Sequence, residues 1–167
     1  MGGSTNGPTI VGINTGHPNK IVAEAIDAGK IAALKGYASL RREVKYGKNS
    51  RIDILLEDPK KGLCYVEIKN VHFLRKAGLA EFPDSVTARG AKHLAELSDM
   101  VWEGHRAVMI YLVQRADATR LTLARDIDPG YGAAFDKAMG AGVEILAYRC
   151  ALSEQGIDLV KKIPVAP

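Results

Sequence analysis

The chain has 167 residues, of which 47% are hydrophobic and 25% charged, and it carries a formal net charge of +4. This composition predicts one globular domain with a core of its own. The longest unbroken apolar run, residues 107–113, is too short to span a bilayer, and the N-terminus lacks the features of a signal peptide. Cys64 and Cys150 stand alone, so the sequence suggests neither a disulfide scaffold nor a clustered zinc site. We therefore expect a cytoplasmic protein with no membrane segment and two buried, reduced thiols.

The N-terminal half is predicted to contain one helix and three strands. Residues 1–12 include the stretch MGGSTNGP and are expected to be a flexible leader or a cloning remnant, so the folded domain is taken as residues 13–167. Apolar residues at helical spacing then predict an amphipathic helix. Alternating residues and a Pro-Gly turn predict a strand followed by a hairpin. The predicted bounds are helix 19–34, strand 40–46, strand 51–56, loop 58–62 and strand 63–68.

The C-terminal half alternates helices with strands. Start and stop signals predict a helix over residues 83–104 and another from residue 128 to the glycines at 140 and 142. Residues 106–114 and 143–148 are apolar and β-branched, which predicts buried strands. Strands interleaved with helices indicate an α/β fold with a mixed sheet. The residues expected in the core of this half include Val86, Trp102, Tyr131 and Phe135.

Two acids and a lysine interrupt the apolar pattern of the hairpin. If residues 58–62 form the loop, counting back along both strands sets Asp53 opposite Glu67, with Cβ atoms roughly 5 Å apart. Lys69 lies on the same face as Glu67, because side chains alternate along a strand. Two carboxylates this close repel each other unless one is protonated or both bind a cation. On this pattern alone, a solvated sheet face and a metal site both stay open.

A metal site of this kind favours Mg²⁺ or Mn²⁺ as the cofactor. Carboxylate oxygens are hard ligands, and these ions keep several waters and accept phosphate oxygens. A lysine beside them can orient a metal-bound water and stabilise the charge that develops on a phosphate. The chemistry implied is phosphodiester hydrolysis.

The surroundings of these acids are basic. Between residues 41 and 76 the chain has ten Lys or Arg residues against five Asp or Glu. A basic surface around a metal-binding acidic centre suits a polyanion such as nucleic acid. An ordinary solvated face is the alternative, and charge counting alone does not exclude it.

Six segments, in order and spacing, closely resemble the sugar fermentation stimulation protein A (SfsA) family. They are RREVKYGKNSRIDILL, YVEIKN, AEFPDSVTARGAKHLAEL, EGHRAVMIYLVQRADA, DIDPGYGAAF and GVEILAYR. The resemblance implies a restriction-endonuclease-like PD-(D/E)xK domain over residues 13–167, with a mixed sheet flanked by helices. It also implies a family described as DNA-binding and linked to regulation of sugar metabolism. Members typically carry an OB-type domain ahead of this one, and the present chain is expected to lack it.

The resemblance also implies roles for individual residues. Asp53, Glu67 and Lys69 match the catalytic residues of the motif, with the two acids as metal ligands. Nucleases of this superfamily often add an acid from the first core helix, where Glu24 lies. Glu43, on the strand before the hairpin, is a rival additional ligand. As alternatives, Glu24 is an exposed helix acid and Glu43 a plain partner for a neighbouring cation.

Basic residues that flank these acids are the expected contacts to nucleic acid. Phosphate contacts need charge more than a particular sequence, so several Lys and Arg residues qualify. His93 has an alternative as an exposed helix histidine that pairs with Glu96 at i+3. The expected nucleic-acid-binding residues are Arg41, Lys45, Lys48, Arg51, Arg89, Lys92 and His93.

Two hypotheses from different classes follow. In the first, the protein is a Mg²⁺-dependent nuclease whose acids hold the metal and whose lysine assists the attacking water. In the second, it is a non-catalytic DNA-binding regulator of sugar metabolism genes on a nuclease scaffold, because fold alone does not fix activity. DNA is the expected partner in both, and a homodimer that addresses both strands of a duplex stays open.

Overall fold

The structure is a computed structural model that describes residues 17–153 and 156–166. The predicted flexible segment, residues 1–12, lies outside this part of the chain. Within the described residues, no helix is long and apolar enough to cross a membrane. The elements there are α1 Pro18–Asp27, a 3-10 turn Ala32–Leu34, β1 Ser39–Tyr46, β2 Ser50–Asp58, β3 Gly62–Val71, β4 Phe73–Lys76, β5 Leu79–Phe82, α2 Ala88–Trp102, β6 Arg106–Val113, β7 Arg120–Leu123, α3 Pro129–Ala141, β8 Glu144–Ser153, β9 Gly156–Lys162 and β10 Val165–Ala166.

Six strands form the main sheet, which carries the candidate site, in the order β1-β2-β3-β6-β8-β9. β1, β2 and β3 are antiparallel neighbours, β3, β6 and β8 run parallel, and β9 is antiparallel to β8. The predicted hairpin register is confirmed, because Glu57 pairs with Leu63. The turn is stabilised by the Asp58 carboxylate, which accepts hydrogen bonds from the amides of Lys60 and Lys61 at 3.0 and 3.1 Å.

A second, smaller sheet has the order β10-β7-β5-β4 and was not predicted. Its strands are only two to four residues long, too short for a pattern of alternating side chains to be recognised. Ala80 of β5 and Leu121 of β7 are fully buried in the core that also contains α2 and α3. The small sheet therefore extends this core rather than forming another one.

Helices cover both faces of the main sheet, which confirms the predicted α/β architecture. On one side, the α1 face, Ile54 and Val66 pack with the apolar residues of α1. On the other side, the α2 face, Leu55 packs with α2 and α3. Tyr131 and Phe135 of α3 are fully buried there, as predicted.

Both cysteines are buried and free, also as predicted. Burial is the main cause that raises the pKa of Cys64 to about 11 and that of Cys150 to about 12. At neutral pH both are therefore protonated thiols that pack as small apolar side chains.

The starts of α2 and α3 are joined through Asp128. Its Oδ1 caps α3 by accepting a hydrogen bond from the amide of Tyr131 at 3.0 Å, and its Oδ2 accepts one from the amide of Thr87 at 2.8 Å. Thr87 is itself the N-cap of α2. The helix predicted from Pro83 therefore begins at Ala88 instead, because the cap that satisfies its first amides lies four residues later.

Three further predictions are corrected. The helix predicted over residues 19–34 ends at Asp27, where Gly29, with a φ of 72°, turns the chain toward the 3-10 turn. Trp102 was expected in the core but is 82% exposed, because it is the last residue of α2. Val86 is 74% exposed because it precedes α2 and does not belong to its apolar face.

Candidate active site

Strand β2 changes face at Asp53. Side chains two residues apart in a regular strand point to the same face, yet Ile52 packs on the α2 face and Ile54 on the α1 face. Opposite Asp53 on β1 lies Glu43, whose φ of 55° is in the left-handed region that non-glycine residues rarely adopt. The two strands are thus irregular at the same level, which makes this a locally strained part of the sheet.

Asp53 lies where β2 and β3 stop pairing. The final pair between the two strands is Ile54 with Val66. Beyond it, Oδ2 of Asp53 accepts a hydrogen bond from the amide of Ile68 at 2.7 Å. Its Oδ1 accepts one from Nδ2 of Asn19, in the first turn of α1, at 3.0 Å. The carboxylate therefore substitutes for a strand-to-strand hydrogen bond and ties α1 to the sheet.

The pKa of Asp53 is raised above its ordinary value. Burial is the largest cause and the negative charge of Glu67 the second. Together they outweigh the hydrogen bonds from Ile68 and Asn19 and the positive charge of Lys69, all of which lower the pKa. The protein therefore disfavours the charged form of Asp53, a situation that a bound cation would relieve.

Glu67 and Lys69 lie two residues apart on β3 and point to the same face, as predicted. Glu67 is 4% exposed, and its Oε2 lies 3.5 Å from Nζ of Lys69 and 3.2 Å from Nδ1 of His93. Among the residues that the structure describes, Oε1 of Glu67 is buried without a hydrogen-bond partner. A buried carboxylate oxygen left unpaired costs free energy, which a partner for this atom would recover.

His93 of α2 belongs to this group rather than to the solvent-exposed surface. It is 8% exposed, and its Nδ1 lies 2.8 Å from Nζ of Lys69. The alternative of an exposed histidine paired with Glu96 is wrong, because Glu96 instead accepts a hydrogen bond from the hydroxyl of Ser50 at 2.6 Å. A helical projection could have indicated the burial of His93, since it lies four residues before the buried Leu97.

A cleft of about 760 Å³ opens over Asp53, between α1, β2 and the start of α2. Asn19 and Glu43 lie on its wall together with the exposed cations Arg51, Arg89 and Lys92. Its lining thus combines an acidic centre with a basic rim. This is the arrangement expected for a site that binds a polyanion next to a cation.

Four of the seven predicted nucleic-acid contacts line this cleft, namely Arg51, Arg89, Lys92 and His93. Lys45 and Lys48 lie next to it, around a smaller hollow of about 260 Å³ at the β1–β2 turn. Arg41 is instead engaged in an ion pair with Glu57 at 2.9 Å. The structure therefore groups six of the seven around one region and sets Arg41 apart.

The four acids predicted as metal ligands do not form one group. Glu43 lines the cleft with Asp53, but Glu24 lies on the exposed side of α1, and Asn19 is the α1 residue that contacts Asp53. Within residues 17–153 and 156–166, no group of three or more His, Cys, Asp or Glu residues is arranged to hold a metal ion.

Three residues of this region were not predicted from the sequence, namely Asn19, Ser50 and Tyr46. The hydroxyl of Tyr46 is buried without a hydrogen-bond partner in the described part of the chain. Burial, followed by the charges of Glu67 and Glu96, raises the pKa of Tyr46 well above its ordinary value, so it stays a neutral donor. Asn19 contacts Asp53 and Ser50 contacts Glu96. Both contacts join residues far apart in sequence, so no local motif predicts them.

A mixed sheet with helices on both faces and an Asp, Glu and Lys set beside a basic cleft defines a restriction-endonuclease-like domain. The family model described as "Sugar fermentation stimulation protein RE domain" matches residues 16–156. The chain therefore belongs to the sugar fermentation stimulation protein (SfsA) family, as the resemblance of its motifs predicted.

Several relatives support this assignment. The chain is 64% identical over 151 residues to a sugar fermentation stimulation protein homolog of Rhodospirillum centenum, covering 90% of this chain and 65% of that protein. It is 61% identical over 159 residues to a homolog of Azorhizobium caulinodans, covering 95% and 67%. The solved structure of Pyrococcus furiosus SfsA in complex with Ca²⁺ is similar with a TM-score of 0.81 and 28% identity, covering 90% and 64%. The chain thus spans about two thirds of the length of these relatives.

Proposed function

We propose that the cleft binds a nucleic acid strand and that Asp53 and Glu67 hold a divalent cation for hydrolysis of its phosphodiester bonds. The observation that carries this proposal is the buried, unpaired Oε1 of Glu67 next to the half-buried carboxylate of Asp53. Two acids in this state gain from a cation between them, whereas a surface that only binds phosphate gains nothing from negative charge.

The donor set fits Mg²⁺ or Mn²⁺. These ions bind through one or two carboxylates and complete their coordination with water and phosphate oxygens. The relative from Pyrococcus furiosus, described as a complex with Ca²⁺, supports a site for hard cations in this fold. When bound, the ion would activate water and neutralise charge on the phosphate. Asp53 and Glu67 would be its protein ligands.

Lys69 is the third member of the proposed machinery. Its ammonium lies 3.5 Å from Glu67, so it would stand next to a phosphate or water bound to a cation on Glu67. An ammonium group at this distance can donate a hydrogen bond to the attacking water and stabilise the negative charge that builds on the phosphate. Its role requires the strand register that also places Glu67, two residues earlier on β3.

The basic rim supplies the affinity for the strand. Arg51, Arg89 and Lys92 are exposed and line the cleft, so their charges are free to contact successive phosphates. Such contacts release counterions and make binding weaken steeply with salt. They do not read the base sequence, and we therefore expect low sequence specificity.

The second candidate is a non-catalytic DNA-binding regulator on the same scaffold. The observation that favours it is that, in the described residues, no three His, Cys, Asp or Glu side chains are arranged to hold a metal ion. Under this alternative, the basic rim would bind DNA and the acids would turn over little or no substrate. The naming of the relatives as sugar fermentation stimulation proteins is compatible with such a role.

Cleavage of labelled single-stranded and duplex DNA by the purified protein, with Mg²⁺ or Mn²⁺, tests the proposal. We expect cleavage that disappears in Glu67→Ala and Lys69→Ala. Glu57→Ala is the matched control, because Glu57 lies on the same hairpin but pairs with Arg41 outside the cleft.

The result decides between the two candidates. A wild-type protein that cuts nothing but shifts DNA in a salt-dependent way would refute the nuclease and support the regulator. Double-strand cutting would support a homodimer with one cleft for each strand, which sedimentation of the same preparation would reveal as a doubled mass.

A further inference from the structure

The ammonium of Lys69 has two close neighbours. Its Nζ lies 2.8 Å from Nδ1 of His93 and 3.5 Å from Oε2 of Glu67. The first distance is that of a good hydrogen bond, whereas the second is that of an ion pair in loose contact. The imidazole, rather than the carboxylate, therefore fixes the direction of the lysine head group.

Donor and acceptor chemistry decides which way this hydrogen bond runs. A lysine ammonium has three N–H donors and no acceptor, so Nδ1 of His93 accepts in this contact. Nδ1 also lies 3.2 Å from Oε2 of Glu67, another acceptor, so Lys69 is the donor that these two atoms share. The side chains of Lys69, His93 and Glu67 are only 16%, 10% and 5% exposed. Water is therefore a poor substitute for the imidazole as an acceptor at this depth.

The packing of α2 holds the imidazole in place. Leu94 and Leu97, on the same side of the helix, are fully buried. One turn after His93, the carboxylate of Glu96 accepts a hydrogen bond from Ser50 of β2 at 2.6 Å. The helix is thus tied to β2 through Glu96 and to β3 through His93, so Nδ1 keeps a fixed position beside the strands that carry the acids.

We propose that His93 is a positioning residue for Lys69. By accepting its hydrogen bond, His93 keeps the ammonium beside Oε2 of Glu67 and away from Oε1, the oxygen proposed for the cation. The inference rests on the proposed function, because Lys69 needs a fixed direction only if it acts on a phosphate or an attacking water. Without Nδ1, the buried ammonium would turn to Glu67, its remaining close partner.

A double-mutant cycle on the single-turnover cleavage rate tests this role. We expect His93→Leu to lower the rate roughly 10- to 100-fold, the order of loss caused by misplacing a reacting group by about 1 Å. In a Lys69→Met background the same substitution should cause no further loss, because His93 acts through Lys69. His93→Asn, whose side-chain carbonyl can replace Nδ1 as the acceptor, should restore most of the rate.

The matched control is His105→Leu. His105 stacks on Tyr65 with ring centroids 5.6 Å apart and is not among the residues that line the cleft, so its loss should leave the rate unchanged. If His93→Leu causes an equal loss with and without Lys69, or if His93→Asn is as slow as His93→Leu, the positioning role is overturned. Either result would leave the proposed nuclease intact.

Nitrogen NMR of the wild-type protein, without metal or substrate, separates this inference from the proposed function. We expect Nδ1 of His93 to be unprotonated, and a protected ammonium signal of Lys69 that is lost in His93→Leu. A protonated Nδ1 would overturn the inference even if the protein cuts DNA. If the spectra are as expected but the protein cuts no DNA, the proposed function is refuted. The contact between His93 and Lys69 would then have no catalytic purpose.

Discussion

Two buried glutamates show how differently the two sheets treat a carboxylate. Glu81, on β5 of the small sheet, is 6% exposed, and both of its oxygens accept hydrogen bonds from the guanidinium of Arg75. Glu67, on β3 of the main sheet, is 4% exposed, and only one of its oxygens faces cationic or polar partners, Lys69 and His93. Its other oxygen has none within the described ranges.

Under the proposed function, this difference separates a structural ion pair, Glu81 with Arg75, from a binding site, Glu67. A two-pronged arginine bond satisfies a buried carboxylate completely and leaves it nothing to offer. A buried carboxylate with one oxygen left without a partner lowers the free energy of unfolding. A ligand that binds this oxygen restores the lost stability. Glu67 and Glu81 are almost equally buried, so burial does not distinguish them. Their hydrogen-bond and ion-pair partners do.

The largest expected effect contrasts the two glutamates in catalysis. We expect Glu67→Ala to lower the cleavage rate by about three orders of magnitude, because several kcal/mol of charge stabilisation disappear with the cation. Glu81→Ala should leave the rate per folded molecule unchanged. Single-turnover cleavage of a labelled strand measures both. Comparable losses in the two variants would show that Glu67 matters only for folding.

The same pair should behave differently in thermal unfolding. Glu81→Ala removes charge-assisted hydrogen bonds and is expected to cost about 1–3 kcal/mol of unfolding free energy. In contrast, wild-type protein should gain roughly 5 to 10 °C in melting temperature from Mn²⁺ at 100 times its dissociation constant. Asp53→Asn should abolish that gain, and Glu81→Ala should keep it. A gain that survives in Asp53→Asn would place the cation elsewhere.

A smaller effect concerns the basic rim. Arg89→Ala and Lys92→Ala should each weaken DNA binding and reduce the slope of log affinity against log salt by about one. Arg41→Ala is the control, because Arg41 pairs with Glu57 away from the cleft. Titration of labelled DNA at several salt concentrations gives the slopes. An equal change in Arg41→Ala would indicate a diffuse effect of charge rather than contacts in the cleft.

The smallest expected effect is the pH dependence of stability without metal. Because the pKa of Asp53 is raised by folding, the folded state holds this proton more tightly than the unfolded chain. The contribution of Asp53 to the free energy of unfolding therefore falls as pH rises from the ordinary aspartate pKa through the raised pKa. Asp53→Asn should gain stability relative to wild type across this window. Urea unfolding in the presence of a chelator measures the difference in unfolding free energy between Asp53→Asn and wild type. If this difference shrinks as pH rises, the raised pKa is contradicted.

The hairpin was predictable because its signals are local. The Asp58 turn and the alternation along β2 and β3 fix the register, and the register places Glu67 and Lys69 on one face. The same count sets Asp53 level with Glu67, one residue beyond the last observed pair, Ile54 with Val66. These features need only neighbours in sequence and one turn, so the motif could be read without the rest of the fold.

The surroundings of the motif depend on distant contacts and were predicted less well. The change of face at Asp53 goes with the left-handed backbone of Glu43, which no propensity indicates. Glu24 was expected to supply an acid from α1, but the helix presents Asn19 to Asp53 instead. The burial of His93 depends on how α2 packs on the sheet, and its expected partner, Glu96, bonds to Ser50.

The most direct test of the central claim is the anomalous diffraction of a crystal of this protein grown or soaked with Mn²⁺. The account predicts a peak within coordination distance of both Asp53 and Oε1 of Glu67, and its loss in crystals of Glu67→Gln. A structure with no peak there, or a peak that persists in Glu67→Gln, would contradict the claim that this half-satisfied carboxylate is kept for a cation.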